Sequence, residues 1–448
     1  MRADFLGCYG SAVTETPTFN RLARRGVMFE RANASSPFTP TSLWSLLYAE
    51  QVHGHSYGMS LKDHFGTRGT IAERFRAAGY RTAAVVGSAQ LKHGLGFERG
   101  FDLYLDTYSE PSFGNETTLA RVLEVGSERL TSEDRRRPYF LYVHFFDPHG
   151  PWGDAPAAFR TYAPEDGRFV TVAQTRGTFL PAPTWQSAQL EDAVRRYSGE
   201  DDLEPLRRRG EFEMLLAPMY RSEITWSDDV LRRLLAGFKR LGLRDNTIVA
   251  VSSDHGIAFA EHYQTTGYVF SLFAETLHVP LVIVGGGLPA RRVTAAVSLM
   301  DVGPTLLDLA GIAEAHAEGR SLRALIMGSP AAARPVYAEA TAMPEAFSSL
   351  FSGDDLQRYA PGLENAHAAL INGSLKLVHM PPRSGDTFEL FDIARDPEET
   401  VNIFSADNPV HSTLAARLLA KRGAVRDTPS ATAEPEAIER LRALGYMQ

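Results

Sequence analysis

The stretch Asn246-Thr-Ile-Val-Ala-Val-Ser252-Ser253-Asp254-His255-Gly256 decides how the rest of the chain reads. Ile248 to Val251 has the composition of a buried strand, and the run ends in an Asp and a His side by side, followed by glycine. Carboxylate and neutral imidazole both suit a divalent cation, and in open α/β sheets such sites lie past the carboxyl ends of the strands. Taken alone, the three residues read as readily as a polar turn after a core strand, so the surroundings decide.

Outward from this stretch the pattern alternates between helix and strand. Ile71, Phe75 and Ala78 recur at helical spacing, and Ala83-Ala-Val-Val86 follows as a strand. Tyr139-Phe-Leu-Tyr-Val-His-Phe-Phe146 is a continuous apolar run, the composition of a strand buried on both faces. Ile224, Leu231, Leu234, Leu235, Phe238 and Leu241 line one face of a long helix that Gly242 stops. The alternation predicts an α/β fold, a doubly wound and mostly parallel sheet. After about residue 330 the grammar changes to short strands with a strong hairpin turn at Asn372-Gly373, which predicts a small C-terminal α+β subdomain carrying an antiparallel sheet. The expected organisation is a catalytic domain over 1–330, with a long polar insertion at about 154–209, and a subdomain over 331–448.

Net charge is −8, which gives a nucleic-acid partner no electrostatic support. The basic run Arg207-Arg208-Arg209 reads as solvated surface, preceded as it is by Glu200, Asp201 and Asp202. The single cysteine, Cys8, excludes an internal disulfide and a cysteine-rich zinc site. No apolar run has membrane-spanning length, and no signal peptide is seen. Compartment and oligomeric state are left open.

Motifs in a fixed order carry a family resemblance. Arg2-Ala-Asp-Phe-Leu-Gly-Cys-Tyr-Gly10, the segment Thr16-Pro to Gly26-Val-Met-Phe29, Gly100-Phe-Asp102, His144-Phe-Phe-Asp-Pro-His149, His278-Val-Pro-Leu281, Pro304 to Gly311, Glu389-Leu-Phe-Asp392 with Asp396-Pro-Glu398, and Arg442 to Tyr446 span nearly the whole chain. Together with Asp254-His255-Gly256 they resemble the sulfatase family of the alkaline phosphatase superfamily. That resemblance implies an alkaline phosphatase-like fold and metal-dependent hydrolysis of a sulfuric, phosphoric or phosphonic ester. It also implies a small-molecule anionic ester as partner.

The chemistry departs from the family in several places. Thr39-Pro-Thr-Ser-Leu43 matches the segment whose first residue, Cys or Ser, is oxidised to formylglycine. Thr39 stands in that nucleophile position and cannot become formylglycine; Ser42 is kept, but Leu43 replaces the family's arginine. A threonine hydroxyl whose pKa is lowered by a metal can still attack phosphorus. Thr39 before Pro40 equally suits the N-terminus of a helix. The resemblance makes Thr39, Asp254 and His255 metal ligands, Thr39 and His149 catalytic, and the cofactor a divalent metal: Mn²⁺, Zn²⁺, Ca²⁺ or Mg²⁺. The mixed Asp/His set leans towards Mn²⁺ or Zn²⁺. His144 reads equally as a core residue, and His262 as a loop residue or a support for a ligand. Two basic positions of the family are empty: Ser88 and Gln90 stand at one, and Tyr268 lies near the other.

The front of the chain departs most. The family's first strand ends in Asp-Thr, and that Asp is a metal ligand, whereas here Met1-Arg-Ala-Asp4 begins the sequence. The expectation is an N-terminal truncation, with a gap in the sheet beside the strand leading to Asp254. Burying a central strand contributes roughly 8–15 kcal/mol, as much as a whole domain's net stability of about 5–15 kcal/mol. Two rivals stand beside the hydrolase: a non-catalytic anion-binding member of the fold, and an inactive truncated gene product.

Overall fold

The computed structural model describes the chain except residues 52–68, 113, 131–136, 151, 153–154, 161, 163–190, 192–193, 196–197, 199–200, 203–215, 244–245, 260, 263–265, 268–270, 314–317, 330–333, 341–366, 381–386 and 424–448. Most of the 154–209 insertion, Arg207 to Arg209, Tyr268 and the Arg442 to Tyr446 motif therefore lie outside the described residues.

The α/β fold holds two strand sets. One has the order β7-β1-β6-β5, built from β1 (Val27–Asn33), β5 (Val249–Ser252), β6 (Leu281–Val284) and β7 (Arg291–Ser298). Here β1 pairs in parallel with β7, and β6 runs antiparallel to both β1 and β5. The other set is parallel, with β2 (Arg81–Val86) between β3 (Leu103–Asp106) and β4 (Tyr139–His144). Helices pack around them: α1 (Pro17–Arg25), α2 (Thr39–Tyr48), α3 (Ile71–Ala77), α4 (Asn115–Val125), α5 (Leu216–Arg240) and α6 (Val302–Leu309).

Local chemistry explains their ends. Thr70 and Glu73 form a reciprocal capping box at the start of α3, with Glu73 N donating to Thr70 Oγ1 at 3.0 Å and Thr70 N to Glu73 Oε2 at 2.8 Å. No side chain of its own caps α1. Instead the Asp228 carboxylate of α5 accepts from Thr18 N at 2.9 Å and Phe19 N at 2.8 Å, satisfying donors that the helix leaves open. The apolar face of α5 buries Ile224, Leu231, Leu234, Leu235 and Phe238 as the spacing predicts, and Gly242, at φ +70°, ends the segment.

Side chains of β4 reach the residues around β5. Near their starts, Tyr139 Oη donates to Leu243 O at 2.8 Å and lies 2.6 Å from Thr247 Oγ1. At their far ends His144 feels the charge of Asp254. Among the described residues β4 pairs only with β2, and β5 only with β6. Every residue of β4 and β5 is half-buried, whereas β2 is buried from Thr82 to Val86. The apolar β4 run, read as buried on both faces, is thus half-buried along its whole length.

The antiparallel sheet predicted for the C-terminal part has the order β8 (Val336–Ala340), β9 (His367–Asn372), β10 (Leu375–His379), β11 (Phe388–Asp392). The β9–β10 hairpin turns at Asn372-Gly373, with Gly373 at the φ of +66° that the sequence anticipates. Helix α7 (Pro409–Gly423) covers this sheet with Leu414, Ala415 and Leu418.

Candidate active site

Helix α2 and the turn after β5 meet at one point. Phe38 takes the N-cap position, and no side chain caps the helix there. Thr39, the first helical residue, is therefore not spent on capping. Its Oγ1 donates to Asp254 Oδ2 at 2.7 Å and lies 3.0 Å from His255 Nε2. The same Nε2 and Oδ2 are 3.5 Å apart. The sequence-predicted Thr39, Asp254 and His255 thus converge from segments more than two hundred residues apart.

The glycine of the turn has a steric cause. A Cβ at Gly256 would lie 2.1 Å from the Glu275 carbonyl oxygen, and Gly256 N donates to Thr276 O at 2.7 Å. Backbone packs against backbone there, and only glycine fits. Ser253 Oγ donates to His255 O at 2.9 Å, and the amino group of Met1 to the same oxygen at 2.7 Å.

The tautomers follow from the carbonyls. His255 Nδ1 is 2.7 Å from Gly256 O, so Nδ1 carries the proton and Nε2 turns a lone pair towards Thr39. Burial lowers the His255 pKa despite the neighbouring Asp254, leaving the ring neutral. Burial pushes the Asp254 carboxyl up, but His255, His144, the Met1 amino group and the Thr39 hydrogen bond outweigh it and hold it well below the usual carboxylate range. One hydroxyl proton at Thr39 therefore faces two acceptors.

That surplus of lone pairs suits a cation. Bonds of about 2.0–2.2 Å at tetrahedral to right angles require donors roughly 2.8–3.6 Å apart, close to the separations of 2.7, 3.0 and 3.5 Å seen. Hydroxyl, carboxylate and imidazole form a mixed O/N set appropriate to a first-row or hard divalent ion. No group of three or more His, Cys, Asp or Glu able to hold a metal occurs among the described residues.

His149 lies past the end of β4, stacked on Phe146 with ring centroids 4.5 Å apart. Its electrostatic neighbours include His255, Asp254 and His144, and burial lowers its pKa to about 4. Its Nδ1 is anchored at Gly150 O. His144 ends β4, and its buried Nδ1 has no hydrogen-bond partner among the described residues. Ser88 and Gln90 are buried, with Gln90 N donating to Ser88 Oγ at 3.3 Å.

His262 sits elsewhere, in a buried polar cluster behind the turn. Its Nδ1 is 3.0 Å from Glu275 Oε1, and its Nε2 is 3.0 Å from Glu399 O. The Glu399 carboxylate accepts from Lys376 Nζ of β10, tying the C-terminal sheet to the segment that follows Gly256. Sequence reading had no signal for this cluster beyond single motif letters. The sequence shows Ser42 as a kept motif residue but carries no sign of its contact: Ser42 Oγ donates to Asp254 O at 2.6 Å.

A family model described as Sulfatase matches residues 1–312. The chain belongs to the sulfatase family. This sulfatase-family chain is 32% identical over 430 residues to mouse (Mus musculus) arylsulfatase K, covering 88% of this chain and 72% of the relative. It is 24% identical over 447 residues to the bovine (Bos taurus) arylsulfatase K, covering 91% and 77%. A solved complex of a protein with its substrate D-glucosamine-2-N,6-O-disulfate shares the fold, with TM-score 0.71, 18% identity and 95% of each chain covered. So does the phosphonate monoester hydrolase of Agrobacterium radiobacter, with TM-score 0.69, 21% identity and 94% of each chain covered. The alkaline phosphatase-like fold is thereby shown, and members of the family are in general metal-dependent. No described helix is long and apolar enough to cross a membrane.

Proposed function

We propose that this sulfatase-family chain is a metal-dependent hydrolase of small anionic esters, with Thr39 as nucleophile and phosphate or phosphonate esters turned over faster than sulfate esters. The observation that carries this is the Thr39 hydroxyl held 2.7 Å from Asp254 Oδ2 and 3.0 Å from His255 Nε2 at the start of α2. Thr39, Asp254 and His255 would hold the cation, which supplies charge neutralisation and a lower hydroxyl pKa when bound. The division into a catalytic part over 1–330 and a subdomain over 331–448 belongs to the same reading.

The residues divide the work as follows. The open N-terminus of α2 directs backbone N–H groups at an anionic ester. Thr39 loses its proton to solvent, and its oxygen bonds the phosphorus or sulfur as the bond to the ester oxygen breaks. With Nδ1 anchored at Gly150 O, His149 carries a proton on Nε2 only as imidazolium. Burial disfavours that form, and an ester anion beside it restores it. The proton at Nε2 passes to the departing oxygen, which leaves as alcohol or phenol. Water then attacks the central atom of the threonyl ester and frees Thr39. A threonyl ester has no second hydroxyl on its carbon to expel the group by C–O cleavage, so turnover depends on attack at the central atom. This supports the preference for phosphorus.

The test is a panel of aryl phosphodiester, phosphonate monoester and aryl sulfate, each assayed with Mn²⁺, Zn²⁺, Mg²⁺ and Ca²⁺, on wild type and Thr39→Ala. Expected are metal-stimulated turnover of the phosphorus esters and loss of at least about 10³-fold in Thr39→Ala. Faster cleavage of aryl sulfate overturns the preference, and an active Thr39→Ala overturns the nucleophile. The non-catalytic alternative is favoured by Ser88 and Gln90 at a basic position of the family; anion binding without turnover of any ester would establish it.

A further inference from the structure

Helix α2 carries hydroxyls that behave differently. Thr41 Oγ1 stays local, donating to Phe38 O at 3.0 Å, a common habit of helical Ser and Thr. Ser42 does not. Its main-chain N donates to Phe38 O at 2.9 Å, while its Oγ crosses to Asp254 O at 2.6 Å. Thr39 and Ser42 are three residues apart and share a helix face. One face of α2 thus grips Asp254 twice, by its carboxylate through Thr39 and by its main chain through Ser42. Ser42 is 0% exposed, and the Asp254 carbonyl has no other donor among the described residues.

We infer that Ser42 is a positioning residue that fixes the register between α2 and the 253–256 turn, and so holds Thr39 Oγ1 at the Asp254 and His255 donor atoms. The inference rests on the reading of Thr39 given above. Without the Ser42 hydroxyl, the Asp254 carbonyl loses its donor inside the protein, and the turn is free to shift against α2. A displacement of about 1 Å between nucleophile and ligands costs roughly 10²-fold in rate. Loss of a group supporting a metal ligand costs about 10–100-fold in metal affinity.

The experiment compares Ser42→Ala, Ser42→Cys and Ser42→Thr in the full chain. Turnover is measured on a phosphonate monoester, and Mn²⁺ affinity by calorimetry, which needs no turnover. Ser42→Ala is expected to lower kcat about 10–100-fold with KM within about threefold, and to weaken Mn²⁺ binding about tenfold. Ser42→Thr, which keeps the hydroxyl, restores both; a merely structural serine would show neither the split nor the rescue. If thermal melting shows Ser42→Ala unfolded, Ser42→Cys carries the same comparison at nearly constant volume. Wild-type kcat and Mn²⁺ affinity in Ser42→Ala, beside an inactive Thr39→Ala, overturn the role of Ser42 alone. An active Thr39→Ala overturns the underlying reading instead, and a wild type that neither binds Mn²⁺ nor turns over any ester overturns both.

Discussion

Removing the charge of Glu399 should destabilise the fold far more than its distance from the site suggests. Lys376 Nζ lies 2.7 and 2.9 Å from the two Glu399 oxygens, and both side chains are 2% exposed. Ala274 N donates to the same carboxylate at 2.9 Å. Glu399→Gln leaves a buried ammonium without its counter-charge, a loss of roughly 3–5 kcal/mol. At about 2.1 cal/mol/K per residue, the unfolding entropy of the 448-residue chain is roughly 0.9 kcal/mol/K. The melting midpoint then falls by about 3–5 °C if the chain unfolds as one unit, and by more if the C-terminal sheet unfolds alone. Lys376→Met alone should cost a similar amount. The double variant Lys376→Met/Glu399→Leu should recover most of the loss, because an apolar pair of similar volume often replaces a buried ion pair at little cost. Calorimetric or urea melts of the four proteins close the double-mutant cycle. A Glu399→Gln midpoint within 1 °C of wild type, or strictly additive single losses, would refute the ion pair as described.

The His262–Glu275 pair predicts a stability window in pH. Burial alone would lower the His262 pKa, but the Glu275 carboxylate and the Glu399 carbonyl outweigh it, so His262 lies above its ordinary 6.5. Its contribution is full below that value and is lost as pH rises through the raised one. Burial alone would raise the Glu275 pKa, but His262 and Arg2 hold it below its ordinary 4.5, so its contribution is present above 4.5 and lost as pH falls through the lowered value. Urea midpoints across pH should show His262→Gln flattening the alkaline decline; an unchanged slope counts against the pair. Gly256→Ala should displace the turn bearing His255, since the new methyl meets the Glu275 carbonyl, and should abolish Mn²⁺ binding while the C-terminal sheet stays folded; wild-type affinity would contradict the close approach. Amide exchange at 139–144 and 249–252 should run faster than at 81–86, because β4 and β5 each leave one edge unpaired among the described residues; equal protection by mass spectrometry would contradict the unpaired edges.

What the sequence made legible follows a physical rule. Periodic and turn-coded features came through: the face of α5, its stop at Gly242, and the hairpin at Asn372-Gly373 are each set by neighbours in the chain. The convergence of Thr39, Asp254 and His255 was open to expectation because their side-chain chemistry is distinctive and sits in recognisable local motifs. Contacts fixed by three-dimensional register did not come through. Nothing near Ser42 in sequence says that its hydroxyl passes over the local carbonyl that Thr41 uses and reaches Asp254 instead. Nothing near Lys376 says that a lysine in a strand has its charge matched by Glu399, twenty-three residues on and held at a positive φ of 53°. The half-burial of β4 differs from the full burial its apolar run predicts, since burial depends on what the fold lays against the strand and not on the run itself. The Ser42–Asp254 contact lies beside the Thr39–Asp254 hydrogen bond, and the Lys376–Glu399 pair joins the C-terminal sheet to His262. In this chain the residue types of the candidate site are written locally, while pairings such as Ser42–Asp254 and Lys376–Glu399 are displayed only by the folded chain.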